Sequence, residues 1–138
     1  MSDFEAFMIE NKNEEIEYIA STRFIDKNGK VMPFKLKSIS SKENNNIRKG
    51  CYTKTPIPGK KNQFTRDFDT NKYITELAVT CITYPNLNNK ELQDYYNVMS
   101  AEDLLGAMLT PAEYDDLSEK LQEINGYNLE DKVEEAKN

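Results

Sequence analysis

The sequence predicts an α+β fold, in which one or more antiparallel β-hairpins from the N-terminal half pack on a C-terminal bundle of four to five short helices. Three observations support this prediction: two alternating apolar runs around a turn in residues 15–38, a capped apolar helix in residues 69–84, and further capped helix starts in residues 88–126. We expect a single domain over residues 1–127 and an acidic, flexible tail over residues 128–138.

The composition excludes several classes of protein. No apolar run approaches the roughly 18–20 residues that cross a bilayer, and the acidic N-terminus lacks the regions of a signal peptide. Two cysteines do not make the disulfide framework of a small secreted domain. The sequence therefore predicts a soluble cytosolic protein with no membrane partner.

The charges are distributed unevenly. Residues 21–66 contain 12 basic and 2 acidic side chains, whereas residues 67–138 contain 5 basic and 16 acidic ones, and the whole chain has a net charge of −6. The basic block can meet a nucleic acid, and it can equally meet the acidic half of another copy.

The first residues have the spacing of a short amphipathic helix. Over residues 3–10, this spacing places Phe4, Phe7 and Met8 on one side. Two interpretations are open. The helix is either a lid that packs on the core or an arm that docks on a neighbouring molecule.

A β-hairpin is expected over residues 15–38. Ile16, Tyr18 and Ala20 alternate along its first strand, and residues 26–30 (Asp-Lys-Asn-Gly-Lys) favour a tight turn because Asn and Gly tolerate positive φ. The second strand covers residues 31–39. Pro33 has no N–H to donate, which indicates an edge position or a bulge.

A short helix and a basic segment follow this hairpin. Ser40 and Glu43 form a capping-box pattern, which predicts a helix that runs to about Cys51. Residues 52–68 combine prolines, one glycine and lysines, and they predict a long, exposed, basic hairpin or loop. One glycine before Lys60 and Lys61 does not match a phosphate-binding loop.

The central helix is predicted over Thr70–Thr83. Asp69 can cap its first amides, and Pro85 disfavours helical geometry at the preceding residue and should end it. One face carries apolar residues at three- and four-residue spacing: Tyr73, Ile74, Leu77, Ala78, Cys81 and Ile82. We expect much of the remaining chain to pack on this face.

Three more helices are predicted in the C-terminal third. The first starts at residues 88–91 and runs to Tyr96. The second starts at Ser100 and carries Leu104, Leu105, Met108 and Leu109 on its apolar side. The third has the strongest start in the chain, because Thr110, Pro111 and Glu113 combine an N-cap, a proline in the first turn and a capping box. Gly126 supplies its stop.

The residue types argue against catalysis. The chain has no histidine, which removes the usual general base, the usual partner of a nucleophile and the commonest metal ligand. Cys51 and Cys81 lack zinc spacing, and the acidic pairs fall on predicted solvent faces. We therefore expect no enzyme, no metal and no cofactor.

Two sets of residues are candidates for binding. Aromatic and flexible apolar residues, which are enriched at interfaces, surround the break after the central helix: Tyr84, Leu87, Tyr95, Tyr96, Val98 and Met99. They equally fit the second half of the core. The second set consists of basic residues: Lys49, Lys54, Lys60, Lys61 and Arg66. Tyr52 and Phe64 lie beside them in the sequence and can stack on nucleic-acid bases. Nucleic acid is disfavoured because the protein as a whole is acidic.

The chain resembles the XkdN-like family of phage tail assembly chaperones. The resemblance is carried by RFIDKNGKVMPF (23–34), TPIPGKKNQFTRDFDTNKYI (55–74), TYPNLNNKELQDYYNVMSAEDLLGAMLTPAEY (83–114) and LQEINGYN (121–128). It implies a protein that acts in the host cytoplasm during virion morphogenesis, is absent from the mature particle, and binds the tape measure protein, with the tail tube protein as a further possible partner. The source would be a phage, a prophage or a phage-tail-like bacteriocin cluster.

Two hypotheses combine the resemblance with the residues. The basic Ser21–Arg66 block would meet the acidic Asp67–Asn138 half of the next copy, head to tail, and a client groove would lie near Tyr84, Leu87, Tyr96 and Met99. The alternatives are a structural tail component, which would persist in finished particles, and a small nucleic-acid-binding regulator.

Overall fold

The structure, a computed structural model, describes residues 3–9 and 15–127. In chain order the elements are a single 3₁₀ turn (Glu5–Phe7), β1 (Ile16–Tyr18), β2 (Phe34–Leu36), α1 (Ser41–Lys49), β3 (Tyr52–Pro56), β4 (Phe64–Phe68), α2 (Thr70–Cys81), β5 (Ile82–Tyr84), α3 (Lys90–Tyr95), α4 (Ala101–Met108) and α5 (Pro111–Ile124). Antiparallel strands and five helices, most of them C-terminal, confirm the predicted α+β class.

The predicted hairpin over residues 15–38 is present, although its strands are shorter than the apolar runs. β1 and β2 are antiparallel, with Ile16 opposite Leu36. The tight turn is as expected, because the Asp26 amide donates to the Lys30 carbonyl (2.8 Å) and Gly29 has a φ of +80°. Between the turn and the three-residue strands, an isolated antiparallel bridge pairs Ile25 with Val31.

Of the two alternatives predicted from Pro33, an edge position or a bulge, the edge position is wrong. β2 is the central strand of a three-stranded sheet with the order β1-β2-β5, so the second strand of the hairpin is not at an edge. Pro33 lies just before β2 begins at Phe34, where its missing N–H costs no ladder hydrogen bond. An irregularity in register does occur, between Lys35 and Leu36 opposite β5.

The predicted end of the central helix is also wrong. α2 ends at Cys81, and residues 82–84 form β5, which pairs with β2. Ile82, Thr83 and Tyr84 are β-branched or aromatic and fit a strand well, and the hydrogen bonds offered by β2 outweigh two more residues of helix. Pro85 follows the strand through a cis peptide bond.

The helix starts are as the sequence predicts. At each of the five helices, the N-cap side chain accepts a hydrogen bond from the amide three residues later: Ser40, Asp69, Asn89, Ser100 and Thr110. The reciprocal capping box is complete at Thr110, whose amide donates to Glu113 Oε1 (2.9 Å). Helix α5 ends as predicted, because Gly126, just beyond the C-cap, has a φ of +93°.

The core lies between the inner face of the three-stranded sheet and helices α2, α4 and α5. α2 contacts α1, α4 and α5, in keeping with its predicted central role. The side chains that are completely or almost completely buried are Phe34, Leu36, Cys51, Ala78, Cys81, Leu104, Leu105, Leu117 and Leu121. The apolar face predicted for α2 therefore forms the centre of the core.

Arg23 connects the first hairpin to the C-terminal helices. Its guanidinium donates to the Met108 carbonyl (3.0 Å) and to Glu113 Oε1 (2.6 Å). The arginine thus bridges the end of α4 and the start of α5 from a loop about 85 residues away in sequence. Because the guanidinium hydrogen bond stabilises the carboxylate, the pKa of Glu113 is lowered to about 2.

The N-terminal residues do not form the predicted lid. Residues 3–9 contain one 3₁₀ turn instead of a helix, and Phe7, Met8 and Ile9 are 70–80% exposed. The lid interpretation is wrong for these residues, whereas docking on a neighbour remains a prediction. The predicted acidic tail, residues 128–138, lies outside the described residues.

Candidate functional site

The first candidate surface is the outer face of the three-stranded sheet together with the loop that follows it; we refer to it as the Tyr84 groove. Glu17, Lys35 and Tyr84 form one row across the sheet, since Glu17 pairs with Lys35 and Lys35 pairs with Tyr84. All three are exposed, whereas Phe34 and Leu36, the neighbours of Lys35 in β2, are buried. Lys35 Nζ lies 5.7 Å from the centre of the Tyr84 ring, in a cation–π contact.

Two neighbouring surface depressions share Tyr84 as a lining residue, and together they make up the groove. The sheet-side depression is lined by Glu17, Ile19, Lys30, Val31, Met32, Pro33, Lys35 and Tyr84. The loop-side depression is lined by Tyr84, Pro85, Asn86, Asn89, Glu91, Leu92 and Tyr95. The groove therefore combines apolar walls with charges at its rim, which is the usual composition of a protein-binding surface.

The residues predicted to bind a client divide into two groups. Tyr84, Tyr95 and Met99 are 46%, 78% and 95% exposed. Tyr84 and Tyr95 line the same depression. Met99 is not among its lining residues and stands on the loop before α4.

The other three predicted residues support this surface from below. Leu87 is 3% exposed and belongs to the core, and Tyr96 and Val98 are half-buried against it. The Gln93 side-chain amide donates to the Leu87 carbonyl (2.8 Å), which holds the loop against α3. The Tyr95 ring packs edge-on against Tyr96 at 5.0 Å between ring centres.

Sequence reasoning missed the sheet side of the groove. Alternation in the first hairpin already places Glu17 and Lys35 on the face opposite to the core. What it does not reveal is β5, the strand that brings Tyr84 beside Lys35. Without β5, the residues around Pro33 have no visible relation to those around Pro85.

The second candidate surface is the β3–β4 hairpin. All ten strand residues are exposed. Pairing places Tyr52 opposite Phe68, Lys54 opposite Arg66 and Pro56 opposite Phe64, so these six side chains share one face. We call it the cationic face. Arg66 lies over the Tyr52 ring, with Cζ 4.7 Å from the ring centre.

The predicted basic set is only partly brought together. Lys54 and Arg66 are direct cross-strand neighbours on the cationic face, whereas Lys60 and Lys61 lie in the turn beyond it. Lys49 is the last residue of α1 and lies outside the hairpin. The opposite face carries Thr53, Thr55, Thr65 and Asp67 and is polar, with Thr55 donating to the Asp67 carboxylate (3.3 Å).

The chemistry of the described residues suits binding. Both cysteines are buried, and burial raises the pKa of the Cys81 thiol and of the Cys51 thiol, so neither favours the reactive thiolate. In the described parts of the chain, no group of three or more His, Cys, Asp or Glu residues is placed to hold a metal ion. Over the same residues, no helix has the length and apolar content that a membrane span requires.

Known proteins resemble this chain over nearly its whole length. The sequence profile of the phage XkdN-like tail assembly chaperone proteins matches residues 4–137. The phage-like element PBSX protein XkdN of Bacillus subtilis (strain 168) is 33% identical over 128 residues, which cover 91% of this chain and 85% of XkdN. The B. subtilis protein YqbN shows the same identity and coverage.

The fold is shared with a solved relative. The crystal structure of the protein YqbN superposes with a TM-score of 0.73 at 26% identity, and the match covers 93% of this chain and 98% of that one. Profile, sequence and fold thus each match over at least 91% of this chain. This chain belongs to the family of phage XkdN-like tail assembly chaperones.

Proposed function

We propose that this protein binds the tape measure protein and keeps it soluble while the tail is assembled. The single observation that carries the proposal is the Tyr84 groove, in which exposed Tyr84 and Tyr95 lie on a rigid, buried support. A long, largely helical client exposes apolar stripes that aggregate when they are not covered. A groove with aromatic walls is suited to the apolar face of such a helix.

The geometry of the groove fits moderate, repeated binding better than one very tight contact. Its exposed anchors are few, and its rim carries Glu17, Lys30, Lys35 and Glu91, which remain hydrated. Tyr and Met supply large contact area with adaptable geometry. Many copies with this property can cover a long client and still be displaced when tube subunits assemble around it.

Self-association is the second part of the proposal. The basic Ser21–Arg66 block would contact acidic surface of the next copy, with Lys54 and Arg66 on the cationic face and Lys49, Lys60 and Lys61 around it. A head-to-tail contact extends without closing, as a coat along a linear client requires. Such a contact weakens as salt rises from about 50 mM to about 500 mM, because the Debye length falls from over 10 Å to a few ångströms.

The protein acts in the cytoplasm of the bacterial host, without enzymatic activity, and leaves before the particle is complete. Its groove contacts the tape measure protein first, and the tail tube protein is the partner that displaces it.

The test is co-expression with the tape measure protein of the same gene cluster. We expect the client to enter the soluble fraction only with this protein and to co-purify with several copies of it. Mass spectrometry of purified particles provides the second readout. A client that stays insoluble, with this chain present in finished particles, would replace the proposal by a structural tail component.

A further inference from the structure

We propose that the cationic face of the β3–β4 hairpin binds residues 3–9 of a second copy of this chain. This inference rests on the self-association part of the proposed function and deepens it, because it names the occupant of the basic surface. It does not require the client to be present.

The hairpin has the properties of a docking arm. Two-stranded hairpins are at best marginally stable alone in water. Within the described residues, no third strand pairs with β3 or β4. Its base packs on the protein, where the Phe68 ring lies 5.7 Å from that of Tyr73 on α2. Phe64, near the other end, is 53% exposed.

The cationic face requires a partner that is both acidic and apolar. Lys54 and Arg66 lie side by side at its centre, flanked by Tyr52 on one side and Phe64 on the other. Neither Lys54 nor Arg66 takes part in an ion pair within the described chain. A purely polar partner would leave the aromatic rings in water, and a purely apolar one would desolvate the two cations without compensation.

Residues 3–9 have this combination. Their sequence, DFEAFMI, contains two carboxylates and a run of apolar side chains. Phe7, Met8 and Ile9 are 80%, 70% and 76% exposed, so this segment presents apolar surface in the single chain. Seven residues span about 23 Å when fully extended, and a five-residue strand spans about 17 Å, so the segment is long enough to lie along the strands of the hairpin.

The other acidic surface of the chain fits less well. α5 presents Asp116, Glu119 and Glu123 at helical spacing on its exposed side. Its large apolar residues Leu117 and Leu121 point into the core. α5 therefore offers charge without apolar contact, and the aromatic rings of the hairpin would stay exposed.

The occupant belongs to a second molecule in this proposal. In the single chain the apolar side chains of residues 7–9 are exposed, so they are not covered by their own hairpin. Because donor segment and acceptor hairpin are different parts of the chain, each copy can use both at once. The resulting contact is heterologous and generates an open row of copies.

The experiment uses two full-length charge-reversal variants. D3K/E5K changes the segment, and K54E/R66E changes the hairpin. We expect each variant alone to self-associate at least about tenfold more weakly than the wild type in sedimentation velocity at low salt. An equimolar mixture should associate again, because the unchanged hairpin of the first variant meets the unchanged segment of the second.

The control is K72E/K90E, which alters the net charge by the same amount as K54E/R66E at exposed positions outside both the β3–β4 hairpin and the basic Ser21–Arg66 block. We expect it to associate as the wild type does, at equal thermal stability. Association of D3K/E5K at wild-type strength would overturn the proposal, as would a mixture that stays monomeric. Loss of association upon reversal of Asp116 and Glu119 instead would assign the occupant to α5.

Client solubilisation is measured separately with the wild type. A chain that self-associates as proposed but leaves the client insoluble contradicts the chaperone function alone. If the wild type solubilises the client, but D3K/E5K and K54E/R66E self-associate as strongly as the wild type, only this inference is contradicted.

Discussion

Truncation of Tyr95, which lines the groove, and of Met99, which stands on the loop before α4, should weaken client binding without unfolding the protein. We propose the double variant Y95A/M99A. Tyr95 is 78% exposed and Met99 is 95% exposed, so neither side chain contributes much to the core. Surface substitutions of this kind usually change the free energy of unfolding by no more than about 0.5 kcal/mol.

The loss of binding free energy follows from the same exposed fractions. A tyrosine side chain can bury about 200 Å², and with most of it exposed in the free protein, about 150 Å² is available to a client. At about 25 cal/mol per Å², this area corresponds to a gross gain of nearly 4 kcal/mol. The ordering costs of binding reduce it, and we expect a net loss of about 2–3 kcal/mol for the double variant, or roughly 30- to 150-fold in Kd.

The assay is titration of a soluble tape measure fragment by calorimetry, together with urea unfolding of each variant. The matched contrast is L87A, in which a 3% exposed leucine is truncated in the loop between β5 and α3. A buried Leu→Ala change costs about 2–5 kcal/mol of unfolding free energy. We therefore expect L87A to lose stability and Y95A/M99A to lose affinity.

Two results would refute this reasoning. If Y95A/M99A folds normally and binds the fragment as the wild type does, the groove is not the client site. If Y95A/M99A is destabilised as much as L87A, the two side chains stabilise the core and are not free to serve as binding anchors.

Four further outcomes are expected. L104A, which empties a fully buried position, should lower the free energy of unfolding by about 2–5 kcal/mol in urea titrations. T110A, which removes the N-cap of α5, should cost about 1 kcal/mol in the same measurement. The hydrogen bond with Arg23 lowers the pKa of Glu113 to about 2. Ionised Glu113 therefore stabilises the folded state above its usual pKa of 4.5, and this contribution is lost as the pH falls towards 2. E113Q should show a shallower loss of folding stability between about pH 5 and pH 3 than the wild type. Burial, and then the nearby Glu102, raises the pKa of Glu76, so ionised Glu76 destabilises the fold at neutral pH. E76Q should therefore be more stable than the wild type at neutral pH, and the difference should shrink as the pH falls and Glu76 becomes protonated.

Local features of this fold could be read from the sequence because each depends on residues a few positions apart. The five N-caps, the Asp26–Lys30 turn and the stop at Gly126 are of this kind. The apolar face of α2 belongs with them, since a period of 3.6 residues places its members on one side wherever the helix packs.

Features that depend on distant partners were misassigned. Residues 82–84 continue the helical spacing of α2, and their change to β5 is decided by hydrogen bonds offered by β2, nearly 50 residues earlier in the chain. The same pairing moves Pro33 from an expected edge to the start of a central strand. For the candidate groove, apolar character indicated six residues, and only packing separates exposed Tyr84, Tyr95 and Met99 from buried Leu87.

The sequence by itself determined the α+β class, the boundaries of most helices, and a basic segment in an otherwise acidic chain, because periodicity, capping chemistry and charge are local properties. Only the tertiary structure decided that Lys35 lies beside Tyr84, that Lys54 lies opposite Arg66 on a face with aromatic rings, and that Arg23 bridges α4 and α5. These contacts depend on which segments lie next to each other, and burial of one shared core selects that arrangement for the whole chain at once.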